Sequence, residues 1–463
     1  MATEPKTLPH ALRISAENRR IGRLAEQSAF FNAQRWFTRE RAWINEQQLQ
    51  LCRIPASTFF EQQRAEWFRA QLESLEWKAR IDRAGNVLAT FQAAQSEPLF
   101  VVSAHLDTVL APNRPEEIYY APDGRLCGPG VSDNGSGLAA LLALAKVLSE
   151  TIELHGLASS VLLVANVGEE GEGNLNGMRY LCHQAISSTT PSPSTPKPAM
   201  VNSNGPKATP VPQTGTVQLA GIKAFIVLDG PSLDHITAQA LASRRFEISF
   251  TGPGGHSWND YGTPNPVHAL AEVVSFFVQS ADSRISGERK RRSAYNFGLI
   301  EGGTSINSIA SSARAKLDLR SEEPGILDDF SILLNSTVER ALERENRSAC
   351  VTRLTAKIRE LGSRPGGKLA EESPLLRTVQ AVDAHLHIRS RVDCASTDAN
   401  IPLSLGIPAI SIGTGGQGGG AHTSQEWYQP DGRELGLQRI LLIAVALAEA
   451  NELQQQTGIS AEL

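Results

Sequence analysis

From about residue 86 the chain alternates short β-rich runs with helical stretches, and that alternation limits the fold more than any other feature. The runs NVLATFQ, PLFVVSA, SSVLLVANV, IKAFIVLD and IPAISIG are largely apolar, with helical segments such as GSGLAALLALAKVL between them. Strands that are apolar on both faces need cover on both, so the pattern predicts an α/β fold with a mainly parallel sheet flanked by helices. From about 15 to 80 helix formers dominate, and Trp67, Phe68, Leu72 and Leu75 recur at helical spacing as core-facing positions.

At 463 residues the chain exceeds the size at which a single core usually keeps growing. A second unit begins near 240. RRFEISFTG alternates as a half-buried strand, NPVHALAEVVSFFVQSA reads as an amphipathic helix, and AYNFGLIEGG and ARAKLDLRS follow as strands. The helix ILDDFSILLNSTVERALERE and the strand CVTRLTAKIRE complete a β-α-β-β-α-β order. That order describes a smaller α+β domain with a four-stranded sheet and two helices. The expected division is a main domain made of 1–240 and 362–463, interrupted by an inserted domain at 241–361. Residues 187–219, crowded with Pro, Ser, Thr and Asn, read as a disordered surface insertion.

A hydrophobic fraction of 41% with 20% charged residues is ordinary for a globular chain. The net charge is −5, and the one short basic run is ERKRRS at 288–293, so no nucleic-acid partner is expected. Five scattered cysteines without a CxxC pair suit a reducing compartment. The first residues contain no apolar core of a leader, and no run reaches the ~18 apolar residues of a membrane span. A cytoplasmic location, away from membranes, is the expectation.

Three apolar strands end on ionisable groups: PLFVVSA leads to His105, SSVLLVANVG to Glu169 and Glu170, and IKAFIVLD to Asp229. The carboxyl edge of an α/β sheet is where ligands bind. A fourth strand, IPAISIG, leads through a glycine-rich loop to His422, and Asp133 stands just ahead of a helix start in GPGVSDNGSG. That segment also reads as a helix-capping turn, and it lacks the lysine and spacing of a phosphate-binding loop. Two histidines and three carboxylates without a cysteine fit two divalent ions, Zn²⁺ or else Co²⁺ or Mn²⁺, bridged by one carboxylate. Such a pair, ~3.5–4 Å apart, activates water and polarises a carbonyl. Asp107, two residues from His105, is placed to orient the imidazole. Of Glu169 and Glu170, one can ligate while the other moves protons.

The motifs SAHLDTV, GPGVSDNGSG, VGEEGEG, VLDG, FTGPGGHSW, GGTSINSIA, LDLRSEE, STDANIPLSLGIPAISIGTG and AHTSQE together resemble metallopeptidase family 20, the di-zinc exopeptidases and amidohydrolases. The likeness runs from about residue 50 to the C-terminus and is greatest toward the tripeptide aminopeptidase branch. The resemblance implies a zinc-exopeptidase-like catalytic domain with an inserted lid and dimerisation domain. It makes His105 and Asp229 ligands of one metal, Glu170 and His422 ligands of the other, Asp133 the bridge and Glu169 the general base. It further implies that His256 reaches the partner's site in a homodimer and helps to stabilise the oxyanion, and that Asn307 and Arg320 hold the substrate backbone or carboxylate. The activity so implied is metal-dependent cleavage of an amide bond next to an amino acid, most simply by an aminopeptidase or dipeptidase. An N-acyl-amino-acid deacylase is the alternative, and a catalytically idle binding protein on the same fold is a reading from another class. The insertion and the first ~50 residues extend beyond the matched core.

Overall fold

The computed structural model describes residues 10–92, 98–187, 221–287, 292–347 and 352–457. Apart from Ser187, the expected insertion at 187–219 lies outside the described residues, as does the basic run at 288–293 apart from Arg292 and Ser293. None of the four described cysteines forms a disulfide, and no helix among the described residues is long and apolar enough to cross a membrane.

The first part of the chain supplies β1 (Trp77–Ile81), β2 (Val87–Phe91), β3 (Phe100–His105), β4 (Val161–Asn166), β5 (Ala224–Leu228) and β6 (His235–Ala240). Next come β7 (Ala242–Thr251), β8 (Ser293–Gly302), β9 (Ser312–Ser321) and β10 (Thr355–Arg364). The returning chain adds β11 (Gly367–Lys368), β12 (Arg391–Ala395) and β13 (Ala409–Ile412). The large sheet has the order β1-β2-β4-β3-β5-β13-β6-β11, with β12 also beside β6. Its centre, β4-β3-β5-β13, is parallel, while β1, β2 and β11 pair antiparallel at the edges and β6 runs against β13. The sheet is therefore mixed, with the expected parallel centre.

Every residue of β3, β4 and β5 is buried, which explains runs without polar alternation. The helix Gly135–Glu150 packs among them and is buried on nearly all sides. The helices between His10 and Cys52 share this core through Phe30, Trp36, Phe37 and Ile44, so the segment preceding the family-like motifs belongs to the same packed body. In the helix Gln62–Ser74, Phe68 and Leu72 are fully buried, while Trp67 and, just past the helix end, Leu75 pack against the core from its margin.

A separate four-stranded sheet, β8-β9-β7-β10, is antiparallel throughout. Its buried face carries Phe246, Ile248 and Phe250 from β7 and meets Phe277 and Phe330 from the helices Pro266–Gly287 and Pro324–Asn346. That core is distinct from the one around the large sheet. β10 ends at Arg364, which brings the chain back beside the carboxyl ends of β3, β4 and β5.

Candidate metal centre

β3 delivers His105 at its last residue, with the ring buried. Its Nδ1 donates to the backbone carbonyl of Asp107 at 2.9 Å. A proton held there leaves Nε2 with a lone pair, the form that binds metal. Nε2 looks at Asp133 Oδ1 at 3.1 Å and Asp229 Oδ1 at 3.8 Å. The Asp107 carboxylate stands further from Nδ1, at 3.6 Å, so the nearest orienting group on that residue is its carbonyl. Its carboxylate instead accepts the amides of Glu169 at 3.0 Å and Glu170 at 2.9 Å and the Thr58 hydroxyl at 3.0 Å.

Those bonds shape the turn after β4. Glu170 extends toward His422, whose Nε2 lies 2.9 Å from Glu170 Oε1 and 3.1 Å from Asp133 Oδ2. His422 sits between two short strands, Gln417–Gly419 and Trp427–Gln429, in left-handed backbone conformation with φ 65°. Asp133 precedes the helix Gly135–Glu150, which Asn134 caps by accepting the Gly137 amide. The capping reading of GPGVSDNGSG is thus realised by Asn134, and the adjacent Asp133 faces both histidines. Asn134 also donates to the Leu228 carbonyl and accepts the Gly230 amide, tying this loop to the end of β5 that bears Asp229.

The geometry contains two donor triads, His105–Asp133–Asp229 and Asp133–Glu170–His422, with the ligand atoms of each within 4.8 Å of one another. A third group, His105–Glu169–Glu170, overlaps them. Imidazole nitrogens and carboxylate oxygens face each other here, and positive charge between them relieves the repulsion of their lone pairs. The donor set fits two divalent ions on that ground. The electrostatics agree. Burial opposes ionisation of Asp133, but hydrogen bonds with His105 and His422 outweigh it and lower its pKa. The hydrogen bond with Asp133, assisted by Glu170, holds His422 up at about 9.

Glu169 has a partner of its own. Arg364, from the end of β10, donates Nη1 to Glu169 Oε1 at 3.0 Å and to Ser396 Oγ, and Nη2 to the Glu169 carbonyl. Burial raises the Glu169 pKa well above the usual carboxylate value despite this pairing.

His256 and Asn307 lie side by side at some remove. His256 pairs with Ser308 in a two-residue ribbon, and Ser257 N–H donates to the Asn307 carbonyl at 3.0 Å. Both are exposed, and His256 Nδ1 accepts the Trp258 amide. Arg320 is exposed on β9 and donates to Asp318 at 2.8 Å. Among the described residues, no hydrogen bond or ion pair joins these three to the five-ligand cluster.

Three residues had no assigned role in the sequence reading. Arg364 is one. Glu426 is another: its buried carboxylate accepts the amides of Gly130, Ser132 and Asp133 at 2.7–2.8 Å and so shapes the loop bearing Asp133, which both triads contain. Burial pushes its pKa up to about 7. The third is Asp398, buried against Asn166 at 2.6 Å and likewise pushed up to about 7 by burial. Glu426 and Asp398 stand inside quoted motifs, AHTSQE and STDANIP, which was the available signal.

The profile described as Peptidase family M20/M25/M40 matches residues 101–445. No curated protein sequence matches the chain. Among solved structures, a tripeptidase from Staphylococcus aureus superposes with a TM-score of 0.63 at 16% identity, covering 88% of this chain and 98% of that one. The dipeptidase Dug1p from Saccharomyces cerevisiae gives 0.65 at 12% identity, covering 91% and 99%. A dinuclear metal-binding peptidase of family M20 from Bacillus subtilis gives 0.58 at 15% identity, covering 88% and 98%.

Proposed function

This chain belongs to peptidase family M20/M25/M40 and is a metal-dependent hydrolase, and from that premise we propose that it cleaves the N-terminal amide bond of a short peptide. The observation that carries the reading is the sharing of Asp133 by two donor triads. His105 and Asp229 would hold one ion, Glu170 and His422 the other, and Asp133 both. Nitrogen and oxygen donors without thiolate suit Zn²⁺, with Co²⁺ or Mn²⁺ as substitutes. Two such ions supply an activated water and a polarised substrate carbonyl.

Glu169 takes a proton from the attacking water and hands it to the leaving amine. Burial supports that role, because it raises the proton affinity of the carboxylate. Asp107 holds the amides of both glutamates, while Arg364 pairs with the Glu169 carboxylate and His422 with that of Glu170. Residues 241–361 act as a lid and dimerisation domain, through which the partner's His256 steadies the oxyanion. Exposure of His256 and Asn307 on one ribbon supports their use by another copy of the chain. Asn307 and Arg320 hold the substrate backbone or carboxylate. The working form is a cytoplasmic homodimer acting on soluble peptides.

The test loads the protein with Zn²⁺, Co²⁺ or Mn²⁺ and offers di- and tripeptides free or blocked at either terminus. Release of the first residue from free tripeptides supports the proposal. Turnover confined to N-acetyl or N-succinyl amino acids makes the protein a deacylase instead.

A further inference from the structure

Beside the metal centre two segments expose apolar side chains. Phe59 and Phe60 are 63% and 77% exposed, and Val109 and Leu110 are each 42% exposed. The segments run together, because Ser57 and Thr108 form a parallel bridge and Thr108 N–H donates to the Ala56 carbonyl at 2.9 Å. Buried Arg64 ties both down, donating to the Leu106 carbonyl at 2.8 Å and to the Ile54 carbonyl. The segment is also continuous with the site. Thr58 donates to Asp107, which holds the amides of Glu169 and Glu170. Glu61 accepts both the Phe59 amide at 3.0 Å and the Gly168 amide at 3.1 Å.

Phe59 is further held at φ 76°, a region that aromatic residues rarely occupy. Nothing in local sequence preference favours two adjacent exposed phenylalanines with one in left-handed conformation. Glu61 and Thr58 impose the turn from the framework of the site. Exposed apolar side chains on two joined segments mark a place where something binds, and both segments are hydrogen-bonded to the turn that bears Glu169 and Glu170.

We propose that Phe59, Phe60, Val109 and Leu110 form the wall that receives a large apolar side chain of the substrate, so that this chain prefers peptides with such a residue at the scissile bond. This rests on the reading of the cluster as an amide-hydrolysing centre. An apolar wall distinguishes side chains by the area it removes from water, and discrimination between a large and a small side chain by such a wall is at least about tenfold.

The experiment compares kcat/KM for Phe-Ala-Ala, Ala-Phe-Ala and Ala-Ala-Ala, and for N-acetyl-Phe and N-acetyl-Ala, using the full chain loaded with Zn²⁺. The variants are Phe60→Ser, Phe59→Gly and their combination, with Phe31→Ser as an exposed phenylalanine elsewhere, on the helix Ser28–Arg39. Glycine suits φ 76°, so Phe59→Gly keeps the fold while removing the ring. The expected result is a wild-type preference for the Phe substrate in whichever series is turned over. The double variant lowers that preference at least about tenfold and Phe31→Ser leaves it in place. A preference within about twofold of wild type in the double variant overturns the proposal, also where the oligomeric state changes instead. Turnover of neither series by the metal-loaded wild type overturns the hydrolytic reading of the cluster and this proposal with it.

Discussion

Glu169 and Glu170 are identical in chemistry and adjacent in sequence, yet one meets Arg364 and the other His422. Replacing Glu169 by Ala should lower turnover by roughly 10²–10⁴-fold with metal content unchanged in elemental analysis, whereas Glu170→Ala should lose metal. His422 carries a second expectation. Held at about 9 by Asp133 and Glu170, it is protonated at neutral pH without metal, and an incoming ion must displace that proton. Metal uptake should therefore release protons and tighten as pH rises toward about 9, which calorimetry in buffers of different ionisation enthalpy would read. A third concerns Glu426, whose carboxylate gathers three amides of the Asp133 loop. Glu426→Ala should weaken metal affinity by about 10–100-fold, measured by chelator competition. The candidate ligands were legible from their places, His105, Glu170 and Asp229 after apolar strands, Asp133 ahead of a helix start and His422 after a glycine-rich loop. Glu426 stood inside a motif but its role was not legible, because nothing local distinguishes an acid that folds back on amides from an acid in solvent.

At the scale of elements, strand ends explain why the apolar runs stop so abruptly. Each central strand is covered along its length and emerges at the carboxyl edge, where side chains meet those of neighbouring strands rather than the core. Two helices are tied by a buried ion pair. Asp383 in the helix Pro374–His385 accepts Arg439 Nε at 2.7 Å and Nη2 at 2.6 Å from the helix Arg433–Thr457, both side chains being buried. Asp383→Ala strands a buried guanidinium and should cost about 3–5 kcal/mol in urea unfolding. Their pairing was not visible in the sequence, since one Asp and one Arg among many carry no mark of their partner.

For the whole molecule, the proposed sharing of His256 between subunits has a direct consequence. His256→Ala and Glu169→Ala proteins, each inactive alone, should regain activity on mixing and subunit exchange, since a mixed dimer retains one intact site. Mixtures that stay inactive despite exchange would show that His256 is not shared. What the sequence by itself determined was the parallel-centred α/β architecture, a smaller four-stranded sheet with two helices and the ionisable residues set beside strand ends, a helix start and a glycine-rich loop, because side-chain periodicity and such placements are local properties. What only the tertiary structure decided was which distant groups meet. Arg364 reaches Glu169 across 195 residues and Glu426 reaches Ser132 across 294, and the Phe59–Phe60 turn is bent by Glu61 toward Gly168. Such contacts depend on the packing of sheet against inserted unit and of loop against loop, which no stretch of sequence encodes alone.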